Sequence, residues 1–199
     1  MASEYLDFDS FIRSHILQSW PPSRPIQSTL LSYIFQLPQI TTSQPYVTFS
    51  ANQTPPNTQK DTVRNVKATG VFVWNLATYV LHEAVNATAE QVEYGADKSK
   101  KAGLKKQAVK LVEVEGEKIP MVEDSPVDFE CAYYSTIRLS GSPPMGPVDV
   151  VIGEVVGIHI KEVLTDGKID VRKTQPIARC GYYEYAVVDE TFEMIVPGD

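Results

Sequence analysis

The segment Gln59–Ala89, QKDTVRNVKATGVFVWNLATYVLHEAVNATA, carries the reading from which the rest of the chain is built. Lys60-Asp61-Thr62 opens a short helix that stops at Gly70, and the apolar run Val71–Leu76 follows at once. That run is apolar on both faces except at Asn75, as a central strand would be. A second helical turn carries His82, Glu83 and Asn86 and ends in Asn86-Ala87-Thr88. The start of the first helix sets an ammonium, a hydroxyl and several unpaired backbone N–H groups at the positive end of a helix dipole, which favours an anion such as phosphate. A Lys-Asp-Thr start is also an ordinary capping arrangement, and the segment alone does not separate the two. Asn75 carries two readings as well: an amide hydrogen-bonded to neighbouring backbone, or one aimed at a ligand.

Downstream, Asp97 is placed to cap a short helix through Lys101 that Gly103 ends. From Ala108 the pattern turns to β. Val109–Val114 reads as a strand, Glu115-Gly116 as a turn, and Val127–Leu139 as the clearest strand. In that strand Val127, Phe129, Cys131, Tyr133, Ser135, Ile137 and Leu139 share one face, and Asp128, Glu130, Ala132, Tyr134, Thr136 and Arg138 form a mostly polar other face. The loop Gly141–Gly146 leads to a long apolar strand over Val148–Ile160, in which Gly153 and Gly157 mark bulges or bends. Thr165–Lys168 is a turn, and Tyr182–Val188 and Phe192–Val196 read as closing strands.

Upstream, Tyr46–Ser50 alternates as a strand and Ala51–Thr58 is a polar, proline-bearing loop. Ile26–Ile40 is mixed and broken by Pro38. Phe8, Phe11, Ile12, Ile16 and Trp20 fall at helical spacing, and Pro21–Pro25 forms a stiff connector. The expected organisation is a helical extension and linker over residues 1–25 and one domain over 26–199.

With 43% apolar residues in 199, the chain can bury one sizeable core. A net charge of −7 argues against a nucleic-acid or anionic-membrane partner. The basic run Lys98–Lys106 reads as a solvated face. No apolar run is long enough to span a bilayer, and Glu4, Asp7 and Asp9 occupy the place of a signal peptide's basic start. Cys131 and Cys180 lie far apart without metal-ligand spacing and read as buried thiols in a reducing, cytoplasmic setting. His15, His82 and His159 show no ligand spacing, so no metal site is expected. Antiparallel-looking strands with short helices give a mainly β, α+β fold class built on a β-barrel, and no GxGxxG follows a strand.

Four blocks resemble the flavin reductase-like proteins that bind FMN in a split β-barrel: Lys60-Asp61-Thr62 with Asn65; Gly70–Asn75 running on to Asn86-Ala87-Thr88; Glu123–Cys131; and Val151–His159 followed by Asp166-Gly167. The tail Pro176–Tyr183 is similar to a further family segment, with Cys180 where leucine is usual. The resemblance implies that Lys60 and Thr62, with Asp61 between them, hold the flavin phosphate, with Ser50 and Asn52 on the approach to them. It sets Ser32, Tyr33 and Phe35 against the ribityl chain and ring, although the two aromatics read equally well as core residues. It puts Asn86 near the ring or a dimer seam, and Asn75 remains a candidate contact.

The implied cofactor is FMN, the implied co-substrate NADH or NADPH, and the implied assembly a homodimer. The implied activity is hydride transfer from the nicotinamide to the flavin, with no side chain assigned as catalytic. One departure stands out. Arg24-Pro25-Ile26 is followed by only Gln27–Leu31 before Ser32-Tyr33, so a hairpin's worth of residues is missing at the N-terminal side. That departure favours one alternative, a degenerate, non-catalytic barrel acting by association; an FMN electron carrier is a further alternative that the sequence does not separate from a reductase.

Overall fold

The computed structural model describes residues 45–52, 59–90, 92, 96–142, 146–165, 167–181 and 183–197. The expected helix over Phe8–Trp20, the connector, the mixed stretch Ile26–Ile40 and the missing hairpin all lie outside the described residues, as do Ser32, Tyr33 and Phe35.

The fold is mainly β with short helices, as the sequence indicates. Strand β1 (Tyr46–Asn52) precedes helix α1 (Asp61–Thr69), which delivers the chain into β2 (Val71–Asn75). A 3-10 turn at Tyr79–Leu81 leads to α2 (His82–Thr88), and α3 (Lys98–Lys101) follows. Next come the hairpin β3 (Lys106–Val114) and β4 (Glu117–Val122), then the two long strands β5 (Val127–Leu139) and β6 (Val148–Ile160). Short pairs close the chain: β7 (Leu164–Thr165) with β8 (Lys168–Ile169), and, after α4 (Val171–Thr174), β9 (Ile177–Arg179) with β10 (Tyr185–Val187).

The central sheet is antiparallel in the order β1-β6-β5-β2. Gly70, at φ 72°, ends α1 in the left-handed cap that glycine adopts without penalty, and its N–H returns to the Val66 carbonyl. Val63 and Val66, three apart on one helix face, are buried against Val47, Phe49, Phe72, Trp74, Phe129, Cys131 and Val151. Edge-to-face packing of Phe49 on Phe72 at 5.5 Å and stacking of Trp74 on Phe129 at 4.8 Å organise this core. The β3–β4 hairpin covers the opposite face, where Val109, Val112, Val114, Ile119 and Met121 pack on Val73. Its two-residue turn puts both Glu115 (φ 55°) and Gly116 (φ 83°) in the left-handed region, the geometry that matches strand twist.

Several expectations need correction. Strand β2 lies at an edge of the central sheet rather than in its middle; it is buried on both faces because the hairpin packs over it. Residues 127–131 of β5 are buried on both faces, since Glu130 lies under the hairpin and Asp128 is buried near Ser125, His159 and Lys161. Cys131 is buried, but Cys180 is exposed. The strand expected over Tyr182–Val188 contracts to Tyr185–Val187, and Phe192–Val196 forms no strand and stands largely exposed. The expectation for the two glycines of β6 holds: both sit at register shifts against β5, where a Cβ on Gly153 would lie 2.4 Å from the Phe72 ring and one on Gly157 would lie 2.6 Å from Leu111. Strand β4, which carries Pro120, was not expected from the sequence pattern at all.

Candidate functional site

The start of α1 is bare. Lys60 is the residue at its N-cap, and no side chain among the described residues accepts the first amides of the helix. Arg64 N–H to the Lys60 carbonyl is the first helical bond, so the amides before it have no helical partner. Lys60, Asp61 and Thr62 are each half-buried. Burial holds the Lys60 ammonium below its ordinary pKa, the nearby charge of Lys98 lowers it further, and Asp61 opposes both. Among the described residues Lys60 forms no ion pair and the Thr62 hydroxyl no hydrogen bond. A lysine lowered by burial and by a second cation, beside open amides and a hydroxyl, is a donor set that an anion would relieve. The residues present therefore fit a phosphate.

Strand β1 brings Ser50 and Asn52 to the same end of the molecule. Ser50 pairs with Val150 and Asn52 with Val148, and Ala51 between them pairs with Asp149. Asp149 is 1% exposed. Its carboxylate accepts from Arg138 Nε at 2.9 Å and Nη2 at 3.1 Å, and from Gln59 Nε2 at 3.1 Å. Gln59 immediately precedes Lys60, so the end of β1 and the start of α1 meet at this buried acid. Sequence reasoning missed Asp149, Arg138 and Gln59. The available signal was an acid at the second position of a mostly apolar strand.

The other candidates lie apart. Asn75 sits at the far end of β5 from Arg138, opposite Asp128. Its Nδ2 donates to the Val73 carbonyl at 3.3 Å and its Oδ1 accepts from Val122 N at 2.8 Å, which ties the hairpin to β2. Asn86 is exposed on α2, one turn after His82, whose ring stacks on Tyr79 at 4.9 Å.

Beneath the hairpin lies a second polar group that the sequence did not single out. The fully buried Glu130 carboxylate accepts three backbone amides, from Lys110, Leu111 and Val112, and is paired with His159 Nε2. Beside it Asp128 is 1% exposed, its Oδ1 has no hydrogen-bond partner among the described residues, and burial pushes its carboxyl up to about 7 against the opposing pull of Ser125, Lys161 and His159. Burial also raises the Cys131 thiol, which keeps it protonated and unreactive. No cluster of His, Cys, Asp or Glu among the described residues could hold a metal ion, and no described helix is long and apolar enough to cross a membrane.

Comparison with known proteins bears on this arrangement. A family model described as a flavin reductase like domain matches residues 37–174. An uncharacterized protein of Aquifex aeolicus is 31% identical over 143 residues, covering 70% of this chain and 67% of its own. Among solved structures, nitrilotriacetate monooxygenase component B from Bacillus cereus is 28% identical, with a TM-score of 0.64 over 75% of this chain and 72% of that one. A protein with a split barrel domain from Shewanella frigidimarina superposes with a TM-score of 0.65 over 86% of this chain and 82% of that one; at 20% identity this likeness speaks to fold alone.

Proposed function

The chain belongs to the flavin reductase-like family, a split-barrel fold tied to flavin binding and flavin-related oxidation and reduction, and from that premise we propose that it binds FMN and transfers a hydride to it from NADH or NADPH. The observation that carries the cofactor reading is the start of α1, uncapped among the described residues, beside a half-buried Lys60 that pairs with none of them. Lys60, Thr62 and the first amides of α1 hold the phosphate, with Ser50 and Asn52 at the neighbouring strand end. Asp61 contributes its backbone N–H rather than its carboxylate, because a second negative charge against the phosphate is unfavourable. When bound, the flavin supplies the two-electron chemistry that no side-chain constellation of the protein offers. The protein's part is to anchor the phosphate, orient the ring and present one face to the nicotinamide. The barrel acts as a homodimer in the cytoplasm, a reading supported by the exposed apolar residues near its C-terminus and by its free thiols.

The same exposed run, Phe192 to Val196, favours a second reading in which the barrel acts by association without turnover. Stopped-flow and steady-state oxidation of NADH and NADPH in the presence of FMN separates the two. Nicotinamide oxidation that saturates with FMN is expected. FMN binding without turnover leaves the carrier role, and neither binding nor turnover leaves association.

A further inference from the structure

We infer that Gln59, Asp149 and Arg138 form a positioning device, which aims the start of α1 at the flavin phosphate and so sets a preference for phosphorylated over unphosphorylated flavin. The inference rests on the phosphate reading above. Asp149 lies in β6 between its two neighbours, backbone-paired to Ala51 of β1 on one side and to Arg138 of β5 on the other. A carboxylate this deeply buried is costly unless it is paired and hydrogen-bonded. The guanidinium of Arg138 supplies the pairing in a two-pronged grip on Oδ1 and Oδ2 that fixes the plane of the carboxylate. Oδ2 thereby also faces the Gln59 amide at 3.1 Å, joining residues 90 apart in sequence.

The consequence falls on the next residue. Val63 and Val66 fix how α1 is rotated against the core, but they leave the backbone before the helix undetermined. Gln59 is the last residue before the N-cap, and its side-chain bond to the sheet fixes where the chain turns into the helix. Lys60 and the open amides of α1 are aimed by that turn. Asp149 itself is no phosphate ligand: its negative charge would repel the anion, and the guanidinium beside it offsets that charge. Losing Gln59 removes the anchor, and losing Arg138 releases the plane of the carboxylate that holds Gln59 and takes a positive charge away from this end of the sheet. Both losses act on the phosphate and spare the ring.

The test compares the dissociation constants of FMN and riboflavin, by quenching of flavin fluorescence, for wild type, Gln59→Ala and Arg138→Met. Gln59 is half-buried, and Gln59→Ala leaves the Arg138–Asp149 pair in place, so it carries the test by itself where thermal unfolding shows that Arg138→Met, which strips a buried carboxylate of its guanidinium, does not fold. The expected result is a preference for FMN in the wild type that falls about tenfold in each variant, with riboflavin affinity unchanged. A wild-type preference retained in either variant, or equal losses for both flavins, overturns the inference and leaves the phosphate reading intact. A wild type with no preference for FMN overturns the phosphate reading and the inference with it.

Discussion

At the residue scale, three buried acids behave differently because their partners differ. Asp149 has a guanidinium, Glu130 has three amides and an imidazole, and Asp128 has an oxygen that finds no donor among the described residues. The consequence for Asp128 is a carboxyl raised from 3.8 to about 7 by burial. The groups facing it are Ser125, His159 and Lys161, the last of which also donates to the Glu123 carbonyl. Because the folded state holds this proton more tightly than the unfolded chain, the contribution of Asp128 to stability is highest in acid. It declines as pH rises from about 4 through about 7. Asp128→Asn removes that slope and is expected to exceed the wild type in stability above neutral pH by an amount on the order of a few kcal/mol, the gap closing toward pH ~4. Urea unfolding at a series of pH values checks this; parallel curves for the two proteins would contradict it. None of this was legible in the sequence, where Asp128 and Glu130 occupy the alternating positions of an ordinary solvated face. Period-2 patterning marks which residues share a face but not whether a distant hairpin covers it.

At the element scale, the covering hairpin explains the burial of Glu130. Between Ala108 and Glu113 strand β3 carries more residues than β4 can pair, since Ala108 faces Pro120 and Glu113 faces Lys118. The amides of the excess residues, Lys110 to Val112, would be orphaned, and the Glu130 carboxylate accepts all three. Glu130→Ala is expected to cost on the order of 3–5 kcal/mol, as breaking a buried charged network does, and to speed amide exchange at Lys110–Val112. Glu130→Gln, which keeps an accepting oxygen, should cost less; equal costs for the two would contradict the account. Close backbone approach makes a parallel case for Gly153, whose replacement by alanine drives a methyl into the Phe72 ring and should destabilise by about 1–3 kcal/mol in thermal unfolding. The elements with strong local signals were legible: the α1 start and Gly70 stop, the Asp97-capped helix, the Glu115-Gly116 turn and both long strands. Strand β4 was not, because Pro120 within a short run reads as a break, although at a position opposite Ala108 it is tolerated.

At the scale of the whole molecule, the fold class and the family were readable from the order of modest motifs. The architecture that brings β1, α1 and Asp149 together was not, because a bond spanning 90 residues leaves no local pattern. The strand expected at Phe192–Val196 failed for a related reason: a mostly apolar run indicates burial somewhere, and here the described chain supplies no surface for it. Phe192, Met194, Ile195 and Val196 are each at least 66% exposed. A second copy is expected to cover them, so the protein should sediment as a dimer, and Phe192→Ser with Ile195→Ser should shift it toward monomer. A monomeric wild type would contradict this. The claim on which the functional account turns is that FMN is held by its phosphate at the start of α1. Titration of FMN into wild type and into Lys60→Ala, Thr62→Ala tests it most directly. The account predicts micromolar binding with quenched flavin fluorescence in the wild type, weakened about 10- to 100-fold in the double variant at unchanged thermal stability. Equal affinity in the two proteins, or no effect of the wild type on flavin fluorescence, would contradict it.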